Sequence, residues 1–226
     1  MEANHIIKTL GILFAFAICG VSSLWAETIV SVPQPGILSS QLTTMDKNVK
    51  INGAINGTDI KYLRQLVAAG NLQSIDLSEA TIVRGGDAYY ETYTTSDDDM
   101  GAYSFYNHRG LVSLTLPQTI TSIGTNAFAQ SGLMTVLILD NVVSVDLDAF
   151  AYCSQLSTVE IGENVKRLSQ GVFYNSEVKH VYVKAKTPPA IGNYLFSSKP
   201  IIHVYAESLA EYEASDRKST RLNSSH

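Results

Sequence analysis

The chain has 226 residues, with 16 Lys and Arg against 21 Asp and Glu, which gives a formal net charge of −5 at pH 7. This length suffices for one hydrophobic core. A mildly acidic chain without a Lys/Arg cluster argues against nucleic-acid binding, because that function needs basic patches that displace counterions.

The first segment has the pattern of an export signal. Lys8 precedes an apolar run that ends on the small residue Ala26, as in a cleavable signal peptide. The alternatives are a transmembrane anchor, for which the run is shorter than the ~20 residues of a bilayer span, and a lipoprotein anchor through Cys19. We expect residues 1–26 to be removed, leaving a secreted or surface-displayed protein without a transmembrane span. Only Cys153 then remains, which excludes an intramolecular disulfide.

Residues 27–71 are predicted to form an N-terminal cap. The letters VKING predict an initial strand, and GILSSQL predicts an amphipathic lead-in. NGTDIKYLRQLVAAG predicts a helix, in which Thr58 or Asp59 can cap the start and Gly70 suits the end. The apolar residues on one face of this helix are Ile60, Leu63 and Val67.

A repeat of 22 or 23 residues follows. Its phenylalanines are Phe105, Phe128, Phe150, Phe173 and Phe196. Five or six residues after each comes the pattern L-x-x-L-x-L, with apolar triplets Leu111/Leu114/Leu116, Leu133/Val136/Ile138, Leu156/Val159/Ile161, Val178/Val181/Val183 and, more weakly, Ile201/Val204/Ala206. Leu72, Ile75 and Leu77 form an earlier copy of this strand. A further apolar position keeps the same step at Ile123, Val145, Leu168 and Ile191.

The period predicts the fold. The last two apolar residues of each triplet alternate with polar ones, as a strand with one buried face requires. A coil of this length cannot bury its own apolar face, so successive coils stack around a shared core. We therefore predict an α/β solenoid over residues 72–215, with a curved parallel sheet of short strands and short helical or irregular return segments. Each Phe should fill the interior.

An insertion interrupts the period. Leu77 and Leu111 are 34 positions apart, and the surplus lies at about residues 85–101. We expect a loop that projects from the coil. Its run of aspartates, residues 97–99, lacks the ligand spacing of a calcium loop and indicates a solvated acidic segment. Its tyrosines, which either face a partner or pack back on the solenoid, are Tyr89, Tyr90 and Tyr93.

These segments resemble a known family. SIGTNAFAQSGLMTVLI, DLDAFAYCSQLSTVEIGENVKRL and KTPPAIGNYLF are similar to the BspA-like leucine-rich repeats of bacterial surface proteins, and INGTDIKYLRQL is similar to the N-terminal cap of Bacteroidales members. The resemblance implies a leucine-rich-repeat superhelix outside the cytoplasm, with adhesins for host extracellular proteins among its relatives. The family often has Cys three residues after the repeat Phe. Only Cys153 keeps it here, and we interpret that residue as a small buried filler.

The outward side of the predicted sheet is the candidate ligand-binding surface. Its two columns are Ser113, Thr135, Thr158, His180 and His203, and Thr115, Leu137, Glu160, Tyr182 and Tyr205. At a strand spacing of ~4.8 Å, His180 should neighbour His203, and Tyr182 should neighbour Tyr205. The alternative is an ordinary solvated sheet whose side chains only cross-pair. A metal held by the two histidines lacks a third ligand at the right step.

No catalytic or cofactor motif is present in the sequence: G-x-S-x-G, H-E-x-x-H, a Walker loop and G-x-G-x-x-G are all missing. We predict that the chain is not an enzyme and needs no cofactor. The leading hypothesis is an exported protein-binding module, adhesin-like, with a host extracellular protein as partner. The alternatives are a structural spacer for a missing C-terminal domain and an accessory protein that captures glycans.

The last eleven residues, 216–226, match residue for residue a translated sequencing-library adapter. We expect them to be an artefactual tail and the natural protein to continue past Ser215.

Overall fold

The computed structural model describes residues 27–42 and 47–215, together with the backbone of residues 7–10. Apart from that backbone segment, the predicted signal peptide and the adapter-like tail lie outside the described residues. The first strands are β1 (Ile7–Leu10), β2 (Thr28–Val32), β3 (Asn48–Ile55), β4 (Ser74–Ile82), β5 (Gly85–Tyr90), β6 (Tyr93–Thr95) and β7 (Asp99–Met100). The short strands of the repeats are β8 (Ser113–Thr115), β9 (Ser122–Ile123), β10 (Thr135–Ile138), β11 (Ser144–Val145), β12 (Thr158–Ile161), β13 (Arg167–Leu168), β14 (His180–Val183), β15 (Ala190–Ile191) and β16 (Ile201–Tyr205). The helices are α1 (Leu38–Gln41) and α2 (Gly57–Ala68), and after β16 come a 3-10 turn (Ala206–Ser208) and the helical residues 209–215.

The strands stack in parallel along two sides of a solenoid. One side carries the sheet β2-β3-β4-β8 and the sheet β10-β12-β14-β16, with β1 beside β16. Between these sheets, the Met134 amide donates to the Val112 carbonyl at 3.3 Å. The second side carries the ladder β7-β9-β11-β13-β15. The predicted solenoid of short parallel strands is confirmed.

The strand predicted to be the initial one is β3, and the structure places another strand before it within residues 27–71, because β2 precedes and pairs with β3. The start of α2 also differs from the prediction: its N-cap is Asn56, whose side chain accepts from the Thr58 amide at 3.0 Å. Asp59 is one turn inside and only 1% exposed, and it accepts from the amides of Asn56, Gly36 and Leu38 at 2.9, 2.6 and 2.9 Å. One carboxylate therefore fixes both the helix start and the segment that leads to α1. The predicted apolar face of α2 is buried.

The segment at 85–101 does not project as predicted. Its strands β5 and β6 form an antiparallel hairpin that packs on α2. Tyr89 is 5% exposed and donates from its hydroxyl to the Ala102 carbonyl at 2.8 Å. The approach is so close that a Cβ on Gly57 would lie 2.2 Å from the Asp87 carbonyl oxygen. The surplus residues are thus part of the packed structure, because their tyrosines bury more apolar surface here than a solvated loop would.

The three consecutive aspartates of this segment each form a hydrogen bond with a neighbouring part of the structure. Asp97 accepts from the Arg84 amide at 2.7 Å, and Asp99 accepts from the Ser122 hydroxyl at 2.6 Å. Burial raises the pKa of Asp99. The third member, Asp98, donates its amide to the Ile82 carbonyl at 3.0 Å. Asp97 and Asp98 are exposed, as the predicted solvated segment requires, but these hydrogen bonds hold the run against the fold.

The return segments form the third side of each coil and are irregular rather than helical. The residues with positive φ lie two positions before or after a repeat phenylalanine, at Tyr103, Asn107, Asn126, Gln130, Asp148, Tyr152, Gly171, Asn175 and Tyr194. The positive φ values before and after each phenylalanine turn the amide of every second residue towards the next coil. Phe128, for example, donates to the Ala149 carbonyl at 2.8 Å, and Gln130 donates to the Ala151 carbonyl at 2.8 Å. We call this side the return face.

The phenylalanines form a ladder through the core, as predicted. Phe105, Phe128, Phe150 and Phe173 are at most 1% exposed, and Phe196 is partly buried against them. Consecutive ring centroids lie 6.1, 5.1, 5.7 and 5.3 Å apart, and the planes are tilted by 5–15°. Stacked aromatic rings at these distances add to the stability that burial provides.

Cys153 is fully buried, which confirms its interpretation as a filler. Its thiol donates to the Phe128 carbonyl at 3.2 Å, and its amide donates to the Ser176 hydroxyl at 2.9 Å. Burial raises the pKa of the Cys153 thiol, which disfavours the reactive thiolate. The same position in neighbouring coils holds Ser131 and Ser176, both buried. In these three coils the position holds a small side chain that can form hydrogen bonds, whereas the first coil has the larger His108 there.

Candidate binding surface on the sheet

The outward side chains of β8, β10, β12, β14 and β16 form what we call the sheet face. The strand register places Thr135, Thr158 and His180 in one column. It places Leu137, Glu160, Tyr182 and His203 in the next. Ser113 and Thr115 on β8 instead lie opposite Ser74 and Asp76 of β4. The ten predicted residues therefore divide between the sheet β2-β3-β4-β8 and the sheet β10-β12-β14-β16.

The register of the last strand differs from the prediction by two residues. Tyr182 lies opposite His203, and His180 lies opposite Ile201. The cause is a shorter connection: six residues separate Phe196 from Ile202, the partner of Val181, whereas eight separate Phe173 from Val181. The predicted pairing of Tyr182 with Tyr205 is therefore wrong.

Three rings gather where the predicted columns converge. Tyr182 stacks on His203 with centroids 4.4 Å apart and an interplanar angle of 10°. His180 Nδ1 lies 3.1 Å from His203 Nε2, so one ring donates to the other. The expected proximity of the two histidines is thus confirmed, although they meet diagonally. All three side chains are half-buried, which leaves ring surface accessible in a fixed arrangement. We call them the ring cluster.

An ion pair borders the ring cluster. Glu160 is 6% exposed, and its Oε1 lies 2.5 Å from Lys184 Nζ. Burial alone would lower the pKa of Lys184, but the hydrogen bond and charge of Glu160 outweigh burial and raise it. The negative charge of Tyr205, when ionised, acts in the same direction. Sequence reasoning missed Lys184, although it continues the alternation of His180 and Tyr182 by one step along the strand.

The other half of the face carries mostly small hydroxyl side chains. Ser113 and Thr135 are exposed, Thr115 and Thr158 are half-buried, and Leu137 is 38% exposed. Leu137 lies opposite Glu160 in the register, so an accessible apolar side chain adjoins the ion pair. The face therefore changes from small hydroxyl side chains to rings and charges towards β16.

Within residues 27–42 and 47–215, no three His, Cys, Asp or Glu side chains gather as a metal site. His108 lies away from the sheet face: its ring nitrogens contact the carbonyls of Tyr106 and Arg64 at 2.8 and 3.1 Å. No helix of the described ranges is long and apolar enough to cross a bilayer. The features of the sheet face that a partner could contact are the three accessible rings and one ion pair.

Comparison with known proteins identifies the repeat. A family model described as "BspA type Leucine rich repeat region" matches in six copies over residues 91–203, half of the chain. No curated protein matches the chain. Among solved structures, a leucine-rich repeat protein from Bacteroides ovatus matches at 14% identity with a TM-score of 0.43. The match covers 79% of this chain and 45% of the length of that protein.

Proposed function

The chain belongs to the BspA-type leucine-rich-repeat family, and we propose that it is an exported module that binds a protein through the sheet face, as an adhesin does. The repeat family indicates a protein-interaction or surface module, and its members are typically secreted or surface-displayed and not catalytic. The observation that carries the proposal is the ring cluster, in which Tyr182, His203 and His180 are held in contact before any partner arrives.

The physical argument is one of low ordering cost. A binding surface loses free energy when mobile side chains must be fixed, about 0.5–1.5 kcal/mol for each rotamer-rich one. Stacking of Tyr182 on His203 has already fixed both rings. Aromatic side chains in such positions supply most of the binding energy at protein interfaces. The cluster therefore resembles the centre of an interface rather than a solvated sheet.

The surroundings favour a protein partner. The ion pair between buried Glu160 and half-buried Lys184 gives the rim a fixed polar pattern, and Leu137 adds accessible apolar area beside it. Charges at a rim orient the partner more than they tighten it.

Surface plasmon resonance tests the proposal, with the mature chain passed over immobilised host extracellular-matrix proteins and over mucin. We expect saturable binding to a protein that weakens at least about tenfold, ~1.4 kcal/mol, in the double variant Tyr182→Ala/His203→Ala. Tyr93→Ala, a change of an exposed hairpin tyrosine, is the matched control and should leave the affinity unchanged. Equal losses in both variants, or no saturable binding to any of these surfaces, would contradict the proposal.

Glycan capture is distinguished in the same experiment. If mucin binding disappears after enzymatic removal of its sugars while the matrix proteins give no response, the ligand is a glycan and the protein-binding proposal is wrong.

Export and domain boundaries are part of the proposal. We propose cleavage after Ala26, a cap at 27–71 and a solenoid at 72–215, since β2 begins at Thr28 and pairs with β3. Cleavage would remove β1 and leave the outer edge of β16 uncovered. Mass spectrometry of the protein expressed in a bacterium of the Bacteroidales should find Glu27 at the amino terminus of the form that lies outside the cytoplasm. An intact amino terminus on cytoplasmic protein would contradict export.

A further inference from the structure

We propose that a second site, on the return face and separate from the sheet face, binds an organic cation: an ammonium group held between Tyr152, Tyr174 and Tyr194 beside the Asp148 carboxylate. These residues line a groove of about 260 Å³, together with Gln170 and Gly171. The site does not depend on the sheet face or on its proposed partner.

Three coils supply the three rings. Tyr152 and Tyr174 meet edge to face with centroids 5.8 Å apart at 86°, and Tyr174 and Tyr194 meet at 6.4 Å and 70°. Rings set nearly at right angles present walls with different orientations to one space. Tyr152 is 51% exposed and Tyr194 is 70% exposed, so ring surface is accessible from solvent. This arrangement resembles the aromatic cages that bind ammonium groups through the negative faces of the rings.

The backbone creates the opening. Asp148, Gly171 and Tyr194 occupy the same position of successive coils, two residues before the phenylalanine, and all have positive φ, at 54°, 67° and 55°. The middle position is a glycine, and a Cβ there would lie 2.0 Å from Asp148 Oδ1. The absence of a side chain at Gly171 therefore gives the Asp148 carboxylate its place at the floor of the groove.

The carboxylate has spare capacity for a ligand. Within the described part of the chain, the Asp148 side chain has no hydrogen-bond or ion-pair partner, while the nearby Asp146 is paired with Arg167 at 2.7 Å. Burial raises the pKa of Asp148, as expected of a carboxyl group that lost water without gaining a cation. A ligand that brings one positive charge would restore that interaction.

The chemistry excludes other ligand classes. An anion would be repelled by Asp148, and a metal ion would find a single carboxylate where calcium needs six to eight oxygens. A neutral sugar could stack on the tyrosines, but it would gain little from an ionised carboxylate compared with a cation. An ammonium group uses both the ring faces and the charge. It can come from a lysine side chain of another protein or from a choline headgroup.

A titration followed by 1H–15N NMR tests the site, with choline chloride and N-acetyl-lysine amide as the two probes. Choline and its uncharged analogue 3,3-dimethyl-1-butanol have nearly the same shape, so their difference isolates the charge. We expect at least one cation to shift the Gly171 amide resonance saturably. The uncharged analogue should bind about tenfold or more weakly, since it makes neither the cation–π contact with the rings nor the ionic contact with Asp148. The cation that binds more tightly identifies the source of the ammonium group.

Two variants keep the backbone and change the groove. Asp148→Asn suits the positive φ and removes only the charge, and it should weaken cation binding about tenfold. Gly171→Asn also suits its φ, as Asn126 does in an earlier coil, and it should block the groove. Glu163→Gln, an exposed acid elsewhere, is the control for net charge and should leave binding intact.

The proposal is overturned if the uncharged analogue binds as well as choline, if Asp148→Asn binds as tightly as the natural sequence, or if neither cation shifts the groove resonances. A methyl glycoside that binds equally to the natural chain and to Asp148→Asn would assign the groove to sugars instead. Thermal unfolding of each variant shows that lost binding does not reflect lost folding.

Discussion

Replacement of Phe150 by Ala should destabilise the solenoid more than any surface change. Its ring is 1% exposed and stacks on Phe128 and Phe173 at 5.1 and 5.7 Å. An aromatic side chain that buries ~150 Å² contributes about 4 kcal/mol at ~25 cal/mol/Å². The cavity left between two rigid neighbours adds to this loss, because stacked coils cannot collapse inward without breaking the return-face hydrogen bonds. We therefore expect a cost of about 3–5 kcal/mol.

Urea unfolding followed by circular dichroism measures this cost. Phe196→Ala, at the partly buried last rung, is the matched control and should cost clearly less, because its ring contacts only one other phenylalanine in the ladder, Phe173. Hydrogen exchange should show the loss spreading to coils on both sides of residue 150, as nearest-neighbour coupling in a repeat array requires. Equal costs at Phe150 and Phe196, or a cost below ~1 kcal/mol at Phe150, would refute the idea that the ladder supports the fold.

Three further predictions concern buried polar groups. Asp59→Ala should cost about 2–4 kcal/mol in urea unfolding, because three backbone amides lose their acceptor, two of them buried; a cost no larger than that of Asp87→Ala, an exposed acid, would contradict this. Cys153 should react with a thiol reagent only at the rate of unfolding, since its thiol is buried and its pKa is raised; fast modification of the folded chain would show that the site opens. Burial raises the pKa of Asp99 in the folded state, so the folded state binds this proton more tightly than the unfolded state does. The free energy of unfolding therefore rises as the pH falls through the range between the unfolded and the folded pKa of Asp99. Asp99→Asn should therefore raise the melting temperature at pH 7 by more than it does at acidic pH, and a pH-independent difference would rule out the charge as the cause.

The solenoid itself could be predicted from the sequence because its signal is repeated. A single Phe predicts nothing, but five at steps of 22 or 23 residues identify one inward position. Ile123, Val145 and Leu168, which keep the same step, are each at most 1% exposed. Ile191 keeps the step too, but it is 60% exposed in β15, the end strand of its ladder among the described residues. A side chain at this repeat position is buried only when a further coil packs against its own coil. The periodic pattern alone does not show which of the described coils lacks such a neighbour.

The sites were harder to predict because they depend on departures from the period. The ring cluster forms from Tyr182 and His203 since the connection after Phe196 is two residues shorter, and a strict period pairs the wrong side chains. The surplus at 85–101 predicts a projecting loop because it exceeds the period, but β5 and β6 form a hairpin in which Tyr89 is buried. The groove could not be predicted because it depends on positive φ at Tyr152 and Tyr194. Tyrosine is not a residue type whose presence indicates a positive φ.

The architecture separates stability from recognition, and this separation explains why both proposed sites lie where they do. Inward positions are constrained in every coil, since each ring must match the rings above and below it. Outward positions meet no such demand, so Leu137, Glu160, Tyr182 and His203 can follow one another along the sheet face without disturbing the core. On the return face the same freedom allows one coil to carry Gly171 where its neighbours carry Asp148 and Tyr194. A change that alters binding through either surface should therefore leave the unfolding free energy nearly unchanged, whereas a change in the phenylalanine ladder should reduce both together.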